Sequence, residues 1–231
     1  MNTAAQAQPR TPAAIQPQAE LSGWHNYTRI MLLVYIAVVG IGILPAIASA
    51  LVFLDILPQQ SIFIALAMSR LVGLAEFLIF LLAGIGVLVW FYRARANLSR
   101  AGLEELAYSP GWSVGSFFVP IANLFVPFLS MRELHNRSHA EIPELSRSSV
   151  PDGASWWTCH LAGSLLLLVL LFVGVVDTMP GVFWTTPPIA NVGLSILASI
   201  LMAGSAWFMR KIIGEVTDAQ RNLMNVGRTF E

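Results

Sequence analysis

The sequence predicts an all-α integral membrane protein with four transmembrane helices. Between the second and third it places a cytosolic insert of proline-broken helices that are interfacial or re-entrant. Three observations carry this. Hydrophobic residues make up 56% of the 231 residues and charged ones 11%, against about 25% charged in soluble domains. The apolar residues gather in runs long enough to cross a hydrocarbon core of about 30 Å as helices. The basic residues gather on one side of those runs. The 13 basic and 13 acidic residues balance, so nothing points to nucleic acid as a partner. Cys159, the single cysteine, has no second thiol to pair with.

Residues 1–22 hold Ala, Gln and Pro with Arg10 and Glu20 and read as a disordered cytosolic tail, too poor in large apolar groups to bury a core. The membrane domain is expected over 23–220, with a second short cytosolic tail at 221–231. The first apolar run starts at Ile30 and is longer than a secretory signal, so no cleaved leader is expected. Span one covers 30–54, where Pro45 removes a mid-membrane backbone donor and should kink the helix. Asp55 to Gln60 (DILPQQ) turns the chain. Residues 62–92 are apolar apart from Arg70 and Glu76 and exceed one bilayer crossing, which puts span two at 71–91 and Arg70 near an interface. Spans three and four follow at 157–176 and 189–208. Pro180, Gly181, Pro187 and Pro188 between them forbid one continuous helix.

Trp24, Tyr27, Trp90, Tyr92, Trp156, Trp157 and Trp207 all fall at same-side ends of spans, as an interfacial aromatic belt requires. Arg10, Arg29, Arg93, Arg95, Arg100, Arg132, Arg137, Arg147, Arg210, Lys211, Arg221 and Arg228 lie on that side too. The two short opposite loops carry Asp55 and Asp177, and only Arg70, at the start of span two, is a basic residue on that side. The positive-inside rule then puts both termini in the cytoplasm.

The insert spans 93–155. Its uncharged stretch Gly111 to Met131 is long enough for a fifth span, but a crossing there would carry Arg132, Arg137, Arg147 and the basic C-terminus to the other side. Prolines at 110, 120 and 127 also interrupt it. Ser109 and Pro110 read as an N-cap and first-turn pair, and Pro120 as the opening of a second helix with Ile121, Leu124, Phe125 and Phe128 on one stripe. Ala94 to Ala107 should continue helically from span two.

One combination of residues is specific. Arg93, Asn97 and Leu98 are followed by Ser109, Pro110, Gly111 and Trp112, then by Pro120, Asn123 and Pro127, then by Met131, Arg132 and Glu133. With Trp156 and Trp157 opening span three, this pattern resembles the bacterial membrane-protein family described as domain of unknown function 4328, over roughly residues 30–220. His135, Asn136 and Ser113 depart from it. The resemblance implies architecture only and carries no activity and no functional residue; the expected location is a bacterial inner (cytoplasmic) membrane.

The chemistry-bearing residues divide between insert and spans. Gly111-Trp112-Ser113-Val114-Gly115 matches the G-x-S-x-G nucleophile elbow, but no strand precedes it, so small-residue packing is the expected role. His135 and His139 share a helix face and Cys159 and His160 follow, yet two histidines without a fixed third ligand do not define a metal site. Neither a metal nor a cofactor is expected. Glu76 is costly inside a span and needs a proton or a partner. Arg70, six residues away, does not share its face, whereas Asn191 lies at similar depth. Its expected role is polar glue between helices. Gly42, Ala46 and Ala50, and Ser195, Ser199 and Ala203, form small-residue stripes for close helix approach. Asn123 is expected to bond backbone groups that Pro120 and Pro127 leave unpaired. Arg93, Arg132 and Glu133 suit an ion-pair network or anionic headgroups.

No P-loop, dinucleotide fingerprint or HExxH is present. The sequence thus points to a non-enzymatic membrane module that binds lipid, a membrane protein partner or a second copy of itself. Its working surface is Trp90 to Leu134, with Arg93, Asn97, Trp112, Asn123, Arg132 and Glu133 as interface residues. The alternative is a small transporter or channel subunit using Arg70, Glu76 and Asn191, and the third reading is an intramembrane enzyme.

Overall fold

The computed structural model describes residues 16–101, 103, 106–139, 149–179 and 186–229. Six α-helices account for most of them: α1 Gln16–Phe53, α2 Ser61–Arg100, α3 Pro110–Gly115, α4 Val126–Ser138, α5 Pro151–Val176 and α6 Pro188–Thr229. Two 3₁₀ turns, Ser116–Phe118 and Ala122–Leu124, lie between α3 and α4, and no strand occurs among the described residues. Helices α1, α2, α5 and α6 are long and apolar enough to cross a membrane.

The four expected spans coincide with helices that run past them at the basic end, and α1 stops at Phe53, one residue before the expected end of span one. Helix α1 begins at Gln16, within the stretch expected to be tail; residues 1–15 lie outside the description. The cause is a buried stripe below the span, Leu21, His25, Thr28 and Leu32, at helical spacing. Helix α6 likewise continues to Thr229, through most of the expected C-terminal tail, carrying Ile212, Ile213, Val216, Thr217 and Gln220 inward. At the insert's borders, residues 93–100 belong to α2 and 151–155 to α5. Helix α2 stops at Arg100, short of the expected Ala107, with the Ala101 N–H capping back to Asn97 and Ser99 carbonyls.

Pro45 does not interrupt α1, and the Ser49 hydroxyl donates to the Pro45 carbonyl at 2.9 Å. After α1, Asp55 adopts φ 57°, a left-handed conformation that aspartate tolerates. Gln59 closes this turn by donating to the Asp55 carboxylate at 2.6 Å and to the Val52 carbonyl at 3.2 Å.

The long helices pack as a row in the order α2, α1, α6, α5. Helices α1 and α2 approach closely at Gly86, where a Cβ would come within 2.9 Å of the Thr28 hydroxyl and the Tyr27 ring. The insert joins the two ends of the row. Phe117 stands edge-on to Phe91 of α2 and to Trp157 of α5, each at 6.3 Å between ring centroids. The core lies mainly at this basic end, around Trp90, Phe91, Ala94, Met131, Leu134, Trp156, Trp157, Ile212 and Val216. Three of the expected belt tryptophans, Trp90, Trp156 and Trp157, are therefore core residues. Trp207 is exposed, with the Arg210 guanidinium 5.3 Å from its ring centroid.

Candidate functional site

The segment from Trp90 to Leu134 is organised around a buried ion pair. Arg95 projects from α2 on the stripe of Phe91, Ala94 and Leu98, so the helix periodicity that buries those residues buries the guanidinium with them. Glu133 of α4 meets it at 2.7 Å, with side chains 0% and 8% exposed. The same Arg95 nitrogen also donates to the Tyr108 carbonyl. The second Glu133 oxygen accepts the Ala107 N–H at 2.7 Å. A neutralised, hydrogen-bonded pair is the form in which two charges tolerate such burial. It ties α4 and the strand of chain before α3 to α2.

Above this pair the insert is held by serines. Ser109 caps α3 as expected, its hydroxyl accepting the Trp112 N–H at 3.2 Å, with Pro110 in the first turn. Ser113 is fully buried. Its hydroxyl donates to the Ser109 carbonyl at 2.9 Å and accepts from the Ser130 hydroxyl at 2.7 Å. Both partners tie α3 to itself and to α4.

Pro120 does not open a helix; it sits between the two 3₁₀ turns, and α4 starts at Val126 with Pro127 in its first turn. Asn123 does not play the bonding role expected for it: its side-chain amide makes no hydrogen bond among the described residues, and its buried Oδ1 has no partner there. The Trp157 indole does that work instead, donating to the Leu124 carbonyl at 3.0 Å.

The remaining interface residues spread around the pair. Arg93 lies 5.8 Å from the Trp24 ring centroid, and Arg132 lies 5.7 Å from that of Phe128. Glu133 therefore pairs with Arg95, which was not among the expected interface residues, rather than with Arg93 or Arg132. Asn97 donates to Gln220 at 3.4 Å, and Gln220 in turn donates to the Ala94 carbonyl and the Ser138 hydroxyl, joining α2, α4 and α6. Trp112 is 46% exposed. It belongs to an outward apolar edge with Phe118, Ile121, Leu124 and Phe125.

The intramembrane polar residues are not brought together. Arg70 is exposed on α2. Glu76 lies against α1 where Gly42 leaves room, and a Cβ on Gly42 would sit 2.1 Å from its Oε1. Asn191 holds a buried Oδ1 without a partner among the described residues, and no hydrogen bond or ion pair there joins it to Glu76. The His135 and His139 rings lie 4.4 Å apart between centroids, tilted by 31°, and His135 contacts Glu215 of α6 at 3.1 Å.

Fold and site together define an all-helical protein with four helices able to cross a membrane and a polar-centred insert packed across one end of them. The chain belongs to the family described as domain of unknown function (DUF4328), whose model matches residues 55–218. The match begins at the α1–α2 turn and so leaves out span one, which the resemblance had included. Comparison with curated proteins and with solved structures finds no match.

Proposed function

We propose that the chain is a non-enzymatic module of the bacterial inner membrane, with both termini cytoplasmic, whose insert lies in the cytoplasmic leaflet and binds lipid or a partner protein there. The observation that carries this reading is the two-sidedness of the insert. Its inner side is fixed to the bundle by the Arg95–Glu133 pair and by the Trp157 bond to the Leu124 carbonyl. Its outer edge presents Phe118 at 73% exposure, Ile121 at 77% and Phe125 at 61%. Such an edge on a rigid frame, at the end of four apolar helices, suits hydrocarbon or a partner surface rather than water. Arg93 and Arg132 flank it at the level where anionic headgroups lie.

The test is depth. In a Cys159→Ser background, single cysteines at 118, 121 and 125 are labelled in sealed inverted membrane vesicles with a membrane-impermeant maleimide. Protection matching that of a cysteine at Leu165, an exposed position of α5, is the expected result. Reaction as fast as that of a cysteine added at the C-terminus would show the insert to be cytosolic and would sink the proposal.

A further inference from the structure

Glu76 is the only acidic residue within the four apolar spans. Along α2 it stands fifteen residues after Ser61 and fourteen before Trp90, about 22 Å and about 21 Å along the axis. A hydrocarbon core of about 30 Å set anywhere between those two ends leaves it at least about 7 Å from either edge. Its carboxyl occupies the notch that Gly42 opens in α1, midway along the uncharged run from Ile30 to Leu54, and a Cβ at residue 42 would overlap its Oε1. Val72 Cγ1 closes the notch from α2. Every residue from Leu21 to Arg100 is described, and among the described residues Glu76 makes no hydrogen bond and no ion pair. From α1, Tyr35 is the titratable side chain within electrostatic reach. It stands two turns from Gly42, about 10 Å along the helix, with its ring 6.0 Å from that of Phe80 between centroids. On α2 itself Arg70 is exposed and on another face, and the other basic residues belong by sequence to the basic end. Glu76 is only partly buried, so its free side meets whatever surrounds α1 and α2.

We propose that Glu76 is a proton-binding site of the membrane domain: the carboxyl sits against Gly42 in its protonated form, and giving up the proton to water unseats it from α1. A carboxylate left in the notch faces a glycine, a valine methyl and hydrocarbon, with neither cation nor donor, at a cost that binding a proton removes. The neutral acid needs only an acceptor for its single O–H, and a helix carbonyl beside a glycine is one. An ionised glutamate would need a cation here, and a glutamate joining the helices as an anion would need a donor on α1. Neither stands at the notch among the described residues. Proton occupancy and the α1–α2 contact are thereby linked. Proton binding requires only that α2 crosses a membrane, wherever the insert lies, so it goes beyond the lipid- or partner-binding reading and does not depend on it.

The test is carbodiimide labelling of the full chain in sealed proteoliposomes. Dicyclohexylcarbodiimide enters hydrocarbon and reacts with a protonated carboxyl. The acid proton passes to a carbodiimide nitrogen, the carboxyl oxygen adds to the central carbon, and acyl migration to nitrogen leaves the whole reagent attached. One addition is expected, mapped to Glu76 by peptide mass spectrometry and absent in Glu76→Gln. Its rate should fall at least about tenfold between about pH 6 and about pH 9, whereas an ordinary exposed glutamate is already ionised at the lower limit. A water-soluble carbodiimide should label exposed Asp55 and leave Glu76 unmodified. Thermal unfolding gives the second readout. The folded chain holds a proton that the unfolded chain releases, so stability is lost as pH rises, and the melting temperature should fall over that range relative to that of Glu76→Gln. No addition at Glu76 at about pH 6, or a rate that stays constant to about pH 9, would overturn the proposal. So would melting curves of the two chains that keep the same separation throughout. If Glu76→Gln does not fold, the pH dependence of labelling in the unaltered chain decides alone.

Discussion

Arg95 and Glu133, 38 residues apart in sequence, meet at 2.7 Å inside the protein and hold the insert against α2. The pair also anchors the backbone of the segment before α3. Glu133 accepts the Ala107 N–H, and Arg95 donates to the carbonyl of Tyr108. Removing one member strands a buried charge, whereas removing both does not. Arg95→Ala or Glu133→Ala is therefore expected to lower stability by about 3–5 kcal/mol, and Arg95→Met with Glu133→Leu by clearly less than either single change. Thermal unfolding in detergent reads this directly. A double variant as unstable as the sum of the singles would mean that the two residues act separately.

The second tie between insert and bundle is aromatic. Trp157 of α5 donates to the Leu124 carbonyl at 3.0 Å and meets Phe117 edge-on. Trp157→Phe keeps a ring and removes the donor, at an expected cost of about 1 kcal/mol. The effect should be local, so proteolysis between residues 116 and 125 should accelerate while the melting temperature moves little. Unchanged cleavage there would show that the indole hydrogen bond does not hold the segment.

Ser113 gives a chemical prediction. Its hydroxyl is buried and committed to Ser109 and Ser130, without the strand-to-helix turn that exposes an elbow serine. A fluorophosphonate probe should leave it unlabelled. Ser113→Ala should lower stability by about 1–2 kcal/mol, because Ser130 loses its buried acceptor. Stoichiometric labelling lost in Ser113→Ala would reverse this assignment.

The four long apolar helices were legible because a bilayer would impose one length and one polarity on each, and hydropathy reads both. The cap at Ser109 and Pro110 was legible because it is local. Arg95 was not. Hydropathy counts it as one more basic residue at the end of span two, and only its place on the stripe of Phe91, Ala94 and Leu98 signals burial. The role given to Asn123 failed for a related reason. Unpaired backbone groups near prolines call for a donor, but sequence distance does not tell that a tryptophan 33 residues away supplies it at Leu124. The helix beyond the inner ends of spans one and four was hidden by composition, since its core contact is a narrow stripe, Leu21, His25 and Thr28 in α1 and Ile212, Ile213, Val216, Thr217 and Gln220 in α6.

Gly42 and Glu76 form a size-dependent contact between α1 and α2. A methyl group on Gly42 would stand 2.1 Å from the Glu76 carboxyl oxygen and 3.1 Å from Val72 Cγ1. Glutamate is flexible, and Val72 on its helix is less so. Gly42→Ala is expected to destabilise by about 1–3 kcal/mol, as overpacking does, and Glu76→Ala should relieve a measurable part of it. Full additivity in this double-mutant cycle would show that the two positions do not touch.

Gln220 makes the most connected polar contact on α6, and the family match stops two residues before it, at 218. Its amide nitrogen donates to the Ala94 carbonyl of α2 at 3.0 Å and to the Ser138 hydroxyl of α4 at 3.1 Å. Its oxygen accepts from Asn97 at 3.4 Å. Gln220 is 3% exposed, so Gln220→Leu keeps the volume roughly constant while removing the donor to the Ala94 carbonyl and to the buried Ser138 hydroxyl. The expected cost is about 1–3 kcal/mol. Asn97→Ala should cost less, because its bond is long and Asn97 is only partly buried. The lesion should also have a place. In Gln220→Leu, amide exchange should speed up at the end of α4, from Glu133 to Ser138, and stay unchanged in the outer half of α5. Equal acceleration in both helices would mean that Gln220 supports the bundle as a whole rather than the seat of the insert.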